Sequence, residues 1–190
     1  MVDYHLFCII YTEDYMQAIT EELNFYKADR RYVDFLRAEE SKIRGVSYIP
    51  HLNYVPPQKE KFMCGIILRI GEIDYLAPIS SYKIKQPNNV LLYDSKGNAT
   101  SSVRLNYMFP IFPQFYQLYD FSKETDIKYR SVVHQERNSA NAQREMIRRL
   151  ALKTYQTVKS LKAQGKNFNW ACDFELLEDA AKAYIMLNQD

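Results

Sequence analysis

Two apolar segments joined by a short polar turn constrain the fold of this chain more than any other feature. Residues 62–70 read FMCGIILRI and residues 75–79 read YLAPI, with the turn residues Gly71–Asp74 between them. Short apolar runs bounded by turn residues are typical of buried strands, and a tight connection joins antiparallel neighbours. The sequence therefore predicts a β-hairpin in the middle of the chain.

Strands and helices are also predicted on both sides of this hairpin. Asp29 is a suitable N-cap for a helix that places Tyr32, Val33, Phe35 and Leu36 on its apolar side. The other predicted β elements are a buried strand or short apolar segment at 4–11, strands at 90–93 and 104–112, two short strands around 115–119, and a turn at 95–98. The other predicted helical and loop elements are an acidic helix at 14–23, a proline-rich loop at 45–60, helical spacing over 129–161 with Gly165 as the C-cap, and a last helix over 174–184. This pattern predicts an α+β fold, an antiparallel sheet with helices packed over it, in one domain of residues 1–190.

Composition narrows the function classes. The chain has 190 residues, 47% of them hydrophobic and 25% charged, which is an ordinary globular balance. Its five glycines form no GxGxxG or GxxxxGK loop, and its three cysteines and three histidines are too dispersed for a zinc knuckle or another metal site. We expect no metal and no cofactor. No apolar run approaches the ~20 residues of a membrane span, and the N-terminal residues lack the basic region of a secretory signal. A cytoplasmic protein is therefore expected.

The net charge of +2 conceals a strong division along the chain. Residues 1–23 carry −5, whereas residues 127–170 carry +8. A basic block of this kind is the footprint expected where a polyanion such as RNA docks, although a solvated helix face would show the same pattern. The candidate RNA-binding cations in the block are Arg137, Arg144, Arg148, Arg149 and Lys153. Val133, Met146, Ile147 and Leu150 are expected to face the core instead.

Hydroxyls and lysines cluster where the two hairpin strands should end. Ser80, Ser81 and Lys83 directly follow the second strand, and Lys61 directly precedes the first. A hairpin would bring them together at its open end, where two hydroxyls and two ammonium groups form a plausible phosphate cradle. A polar loop leaving a strand would have the same composition.

Four motifs carry a resemblance to a known family. The longest is FxxGIILxIxxxxYLAPISSxK, with Lys61 four positions before Gly65. The others are NFYKADRRYVDFL at 24–36, RLNYMFPI at 104–111 and DFELL at 173–177. In order and spacing they resemble the ToxN/AbiQ endoribonuclease toxins of type III toxin–antitoxin systems, over residues 24–180. Residues 1–23 precede the usual family start, and Ser80–Ser81 stands where relatives have Thr-Ser.

The resemblance implies a fold, a reaction and a partner. The implied fold is a twisted antiparallel sheet or open barrel, similar to the Kid/MazF toxins, surrounded by helices. The implied reaction is metal-independent RNA cleavage, in which a ribose 2′-OH attacks the adjacent phosphate and leaves 2′,3′-cyclic phosphate and 5′-OH ends. The implied partner is an RNA antitoxin of pseudoknot repeats, bound in a closed protein–RNA assembly that restrains the toxin in phage defence. Neither DNA nor a membrane is expected as a partner.

Residue roles follow from this implied reaction. Lysines near the phosphate stabilise the charge that develops on its oxygens, and a lysine acting as a base needs its pKa lowered by a neighbour. The assigned roles are phosphate binder or general base for Lys61, phosphate hydrogen bonding for Ser81, charge stabilisation for Lys83, support of the turn for Ser80, proton transfer for His134, and base stacking for Tyr54 and Tyr82. His134, Tyr54 and Tyr82 could equally be packing residues.

Two other functions remain open from the sequence. A non-catalytic RNA-binding domain would share the basic block and the 16 tyrosines. An SH3-like barrel that binds proteins would need neither Lys61 nor the basic block.

Overall fold

The computed structural model describes residues 21–51 and 64–188 of the chain. Its strands are β1 (Phe25–Ala28), β2 (Cys64–Ile70), β3 (Ile73–Ser80), β4 (Asn89–Tyr93), β5 (Ala99–Arg104), β6 (Phe109–Pro110) and β7 (Tyr116–Leu118). Its α-helices are α1 (Arg30–Arg44), α2 (Ile127–Ala142), α3 (Arg144–Ala163) and α4 (Phe174–Leu187). The predicted α+β class, with helices around an antiparallel sheet, is confirmed.

The strands form one open antiparallel sheet around the predicted hairpin. Its order is β4-β5-β3-β2-β1-β7, and β6 pairs with the first half of β3. β2 and β3 pair from Gly65 opposite Pro78 to Ile70 opposite Ile73, which confirms the hairpin. A Cβ atom on Gly65 would lie 2.5 Å from the Ala77 carbonyl oxygen, so only glycine permits this close approach of the strands.

The strands after the hairpin differ from the prediction. A strand over 104–112 is wrong, because Arg104 ends β5 and residues 105–107 form a 3₁₀ turn before the two-residue β6. The two strands expected around 115–119 are one strand, β7. The turn at 95–98 is confirmed: the Asp94 side chain accepts hydrogen bonds from the backbone N–H groups of Lys96 (2.9 Å) and Asn98 (2.8 Å).

The helix predicted to start after Asp29 is confirmed, and both of its ends are capped. The Asp29 side chain accepts a hydrogen bond from the Tyr32 N–H, and Gly45 ends the helix with φ of 75°. Tyr32, Val33 and Leu36 are fully buried, as the apolar spacing predicts. Asp173 caps α4 in the same way as Asp29 caps α1.

The helical stretch after Asp126 is interrupted, contrary to the prediction. It breaks between α2 and α3 at Gln143, which has φ of −110° and ψ of 12°. The Gln143 side chain donates a hydrogen bond to the Leu91 carbonyl of β4 (2.9 Å), so a tertiary contact accompanies the break. Met146, expected in the core, is 45% exposed, whereas Ile147 is fully buried. Gly165, with φ of 63°, follows the C-cap Gln164 rather than forming the cap.

Several sequence expectations fall at the edges of the described chain. The predicted strand at 4–11 and most of the helix at 14–23 lie outside the described residues, and residues 21–23 are not helical. Within residues 21–51 and 64–188, no helix has the length and apolar character needed to cross a membrane.

A buried carboxylate joins α1 to α4. Glu40 is fully buried, and its Oε1 accepts hydrogen bonds from Arg44 Nη1 (2.9 Å) and the Asp173 N–H (2.8 Å). Its Oε2 accepts from the Ser47 hydroxyl (2.7 Å) and the Tyr48 N–H (2.9 Å). Four donors on one carboxylate satisfy a charge that would otherwise be costly to bury, so this network fixes how the two helices meet.

Candidate active site

The loop after β3 carries the hydroxyls and the lysine predicted for the site. Ser80 is the last residue of β3, at the end of the hairpin away from the Gly71 turn. The structure therefore places Ser80, Ser81 and Lys83 at the open end of the hairpin, as predicted. Lys61 and Tyr54 lie outside the described residues.

Side chains of β4 and β5 hold this loop against the sheet. The Ser102 hydroxyl donates to the Tyr82 carbonyl (2.6 Å), and the Tyr82 N–H donates to Ser80 Oγ (3.2 Å). Buried Asn89 donates to the Ile84 carbonyl (2.9 Å) and accepts from the Gln86 N–H (2.8 Å). The loop backbone is thus fixed on both sides of Lys83.

The side chains that could bind a phosphate are open to solvent, although the loop backbone is fixed. Ser81 and Lys83 are exposed, and they flank half-buried Tyr82. A hydroxyl donor and an ammonium group on a held loop can bind the oxygens of a phosphate without reorganising. The loop therefore has the composition and rigidity of a phosphate-binding element.

Arg104 is the buried cation behind the loop. Its guanidinium lies between two rings, 4.8 Å from the Tyr82 centroid and 4.5 Å from the Tyr107 centroid, and the residue is 7% exposed. Its Nη2 donates to Gln86 Oε1 (3.2 Å), and Gln86 Nε2 donates to the Tyr82 hydroxyl (3.3 Å). Arg104, Gln86 and Tyr82 therefore form one connected cluster beneath the exposed Ser81 and Lys83.

The sequence prediction missed the residues that hold the loop. Asn89 and Ser102 lie just outside the strands predicted at 90–93 and 104–112, and Arg104 is only the first residue of the second of these predicted strands. A signal was present for Arg104, because it opens the RLNYMFPI motif as a single charged residue next to an apolar segment. A buried cation at such a position needs an explanation beyond packing.

Two other chemically capable groups lie outside this loop. His134 is exposed on α2 with its ring 5.7 Å from that of Phe121, and no hydrogen bond or ring contact within the described chain links it to residues 80–83. Burial, together with the negative charge of Glu136, raises the pKa of the Cys64 thiol to about 12. Cys64 therefore stays a neutral thiol and is a poor nucleophile at neutral pH. The described residues contain no group of three or more His, Cys, Asp or Glu side chains placed to hold a metal ion.

The predicted RNA-binding cations divide into two sets. Arg137, Arg144 and Arg148 are half-buried. Arg137 Nη2 binds Glu22 (2.6 Å), and Arg148 Nη2 donates to the Glu21 carbonyl (2.9 Å). Burial and the nearby Arg144 lower the pKa of Arg148, against the charge of Glu21, although a guanidinium stays charged at neutral pH.

The second set is open to solvent on α3. Arg149 and Lys153 are exposed, and Arg149 forms an ion pair with Glu145 one helical turn away. A shallow groove of about 500 Å³ on this helix is lined by Glu145, Met146, Arg149, Leu150 and Lys153. Cations beside an apolar floor suit a nucleic acid, because phosphates and base faces can contact them together.

The family model of the toxin ToxN of type III toxin–antitoxin systems matches residues 24–182, which is most of the chain. The chain belongs to this family. The matched segment of this ToxN-family chain contains the hairpin, the loop at 80–83, Arg104 and the basic helices.

A curated relative and solved structures agree with this assignment. The endoribonuclease ToxN of Pectobacterium atrosepticum is 27% identical over 167 residues, covering 83% of this chain and 91% of the relative. A structure from work on a processed non-coding RNA that regulates a bacterial antiviral system has a TM-score of 0.67 and 22% identity, covering 84% of this chain and 97% of its own. AbiQ, a lactococcal anti-phage endoribonuclease of a type III system, has a TM-score of 0.66 and 19% identity, covering 87% and 99%. The solved structures show that the fold is shared.

Proposed function

We propose that this ToxN-family protein is a cytoplasmic endoribonuclease that cleaves RNA by attack of a ribose 2′-OH on the adjacent phosphate. The observation that carries the proposal is the Ser80–Lys83 loop, held at the open end of the hairpin with Ser81 and Lys83 exposed. The endoribonuclease named among its relatives supports the same reaction class. The products would be 2′,3′-cyclic phosphate and 5′-OH ends.

The described side chains suit this reaction electrostatically. In the transition state, negative charge grows on the non-bridging oxygens of the scissile phosphate. Ser81 donates a hydrogen bond to one oxygen and Lys83 supplies the nearby positive charge, while Ser80 holds the turn through the Tyr82 N–H. Lys61, outside the described residues, is proposed as phosphate binder or general base. His134 is proposed for proton transfer, and Tyr54 and Tyr82 for base stacking.

The proposed regulator is an RNA antitoxin. One structural relative was solved in work on selective toxin inhibition by a non-coding RNA pseudoknot. In this chain the proposed contact surface is the α2–α3 region, where exposed Arg149 and Lys153 flank the apolar groove. Arg137, Arg144 and Arg148 are proposed to contribute positive potential from the same helices, in a closed protein–RNA assembly.

Incubation of the purified protein with bacterial total RNA in excess EDTA, followed by end-group mapping, tests the proposal. We expect cleavage that leaves 2′,3′-cyclic phosphate and 5′-OH ends, and no detectable cleavage by the Ser81→Ala variant in the same incubation time. Products with 5′-phosphate ends that require added Mg²⁺ would contradict the proposed reaction. RNA binding without cleavage, equal in wild type and Ser81→Ala, would favour a non-catalytic RNA-binding domain instead.

A further inference from the structure

Among the described residues, buried Arg104 has no carboxylate partner, whereas a structural arginine normally has one. Within residues 21–51 and 64–188 no acidic side chain pairs with it, and its Nε has no hydrogen-bond partner there. Its polar contact is with the neutral Gln86, and its other contacts are the faces of Tyr82 and Tyr107. An apolar side chain of similar length would fill this space with a smaller desolvation cost. Folding alone therefore gives a weak reason for an arginine at this position.

The contacts of Arg104 converge on the loop that carries the proposed chemistry. Arg104 stacks on the ring of Tyr82, and Gln86 links its guanidinium to the hydroxyl of the same tyrosine. Ser102, two residues earlier on β5, holds the Tyr82 carbonyl. Tyr82 is thereby held at its ring, its hydroxyl and its backbone.

Tyr82 lies between Ser81 and Lys83, so its position decides where these two neighbours project. A planar guanidinium between two rings resists tilting of either ring, which an ammonium group on a flexible chain does not. A displacement of about 1 Å in a positioned group can lower a rate about 100-fold.

We propose that Arg104 is a positioning residue for RNA cleavage: clamped between Tyr82 and Tyr107, it holds the loop so that Ser81 and Lys83 meet the scissile phosphate. This inference rests on the proposed function of the loop. Arg104 itself is too buried to touch the RNA. Its replacement should therefore change the rate of the chemical step much more than the binding of RNA.

The test compares Arg104 with a second stacked arginine. Arg44 lies 5.0 Å from the ring centroid of Tyr48 and 4.6 Å from that of Phe168, but it is paired with Glu40 and is not in contact with residues 80–86 among the described interactions. Arg44→Lys and Arg104→Lys each keep the charge and lose the planar fork. Arg104→Met removes the charge as well, and Gln86→Leu breaks the link to Tyr82 without entering the core.

Cleavage is measured with a labelled RNA oligonucleotide that spans a site mapped on total RNA, and thermal unfolding is followed for every variant. We expect kcat to fall about 100-fold for Arg104→Met and about 10-fold for Arg104→Lys and Gln86→Leu, with KM changed less than about 3-fold. Arg104→Met should unfold at or above the wild-type temperature, and Arg44→Lys should keep kcat within about 2-fold.

The outcomes separate this inference from the proposed function. A Ser81→Ala variant without activity, combined with Arg104→Met at a kcat no lower than that of Arg44→Lys, would overturn the positioning role alone. Wild-type cleavage by Ser81→Ala would overturn the proposed function and this inference with it. A rise in KM at unchanged kcat for Arg104→Met would also contradict positioning, because it would indicate a role in binding.

Discussion

Arg44 and Arg104 have the same kind of aromatic surroundings and opposite electrostatic ones. Each guanidinium lies between two rings at centroid distances of 4.5 to 5.0 Å. Arg44 Nη1 also binds the fully buried Glu40 and donates to the Ala171 carbonyl (2.8 Å), so its charge is compensated. Arg104 has a glutamine, two rings and an unpartnered Nε among the described residues.

The difference agrees with the roles proposed for the two regions: one stabilises the fold, and the other supports the proposed activity. Around Arg44, the buried charges are paired and the cluster fixes α1 against α4. Around Arg104, the Nε atom has no hydrogen-bond partner among the described residues, and the cluster contacts the loop that carries exposed Ser81 and Lys83. Residues with such unsatisfied polarity tend to be found at functional sites, where stability is lost in favour of activity.

The largest expected effect tests whether the Arg104 side of the comparison is the active one. Ser81→Ala or Lys83→Ala should each lower the rate of RNA cleavage by about 10²- to 10³-fold, since each removes a group proposed to stabilise the phosphate charge. Both side chains are exposed, so the free energy of unfolding should change by less than about 0.5 kcal/mol. Single-turnover cleavage and urea denaturation measure the two quantities. A strongly destabilised Ser81→Ala protein would show that the loop belongs to the structural region.

The next effect concerns stability: replacing Arg44 should lower the free energy of unfolding more than replacing Arg104, the reverse of the order expected for the cleavage rate. Arg44→Met leaves the buried Glu40 carboxylate without its cation and should lower the free energy of unfolding by about 3 to 5 kcal/mol. Arg104→Met leaves no carboxylate of residues 21–51 or 64–188 without its cation, so the free energy of unfolding should stay the same or rise slightly. Urea denaturation of both variants checks the order. Equal losses would mean that the two clusters are alike and would remove the basis of the comparison.

The smallest effect extends the comparison to cations that remain in solvent. Replacing Arg149 and Lys153 together by Gln should weaken RNA binding and flatten its salt dependence by about 0.7 in log–log slope for each phosphate that the protein no longer neutralises. The matched control replaces Lys42 and Lys182, which are exposed on α1 and α4, so that the same charge is removed elsewhere. Binding of a labelled single-stranded RNA oligonucleotide, measured in the Ser81→Ala background so that the RNA is not cleaved, is followed between about 50 and 200 mM salt, the range in which such slopes are resolved. Equal slopes in the two double variants would mean that the groove on α3 does not contact RNA.

The position of the 80–83 loop was largely predictable from the sequence, whereas the residues that hold it, Asn89, Ser102 and Arg104, were not. The run YLAPISS, preceded by an apolar strand and a glycine turn, was enough to place Ser80 and Ser81 at the open end of a hairpin. The role of Ser102 depends on the pairing of β5 with β3. The prediction missed this strand, because it began a strand at Arg104, the residue at which β5 ends. Pairing between distant segments depends on burial and register, which local propensity does not encode.

The sequence by itself determined the elements whose signals are local, namely the hairpin around the Gly71 turn and the start of α1 at Asp29. Each depends on contacts between residues close in the chain, so the residue types alone specify it. Only the tertiary structure decided the break at Gln143, which bonds to Leu91, and the burial of Arg104 between two tyrosines. Those features arise because distant residues meet, and a buried charge is revealed only when the structure shows which groups surround it.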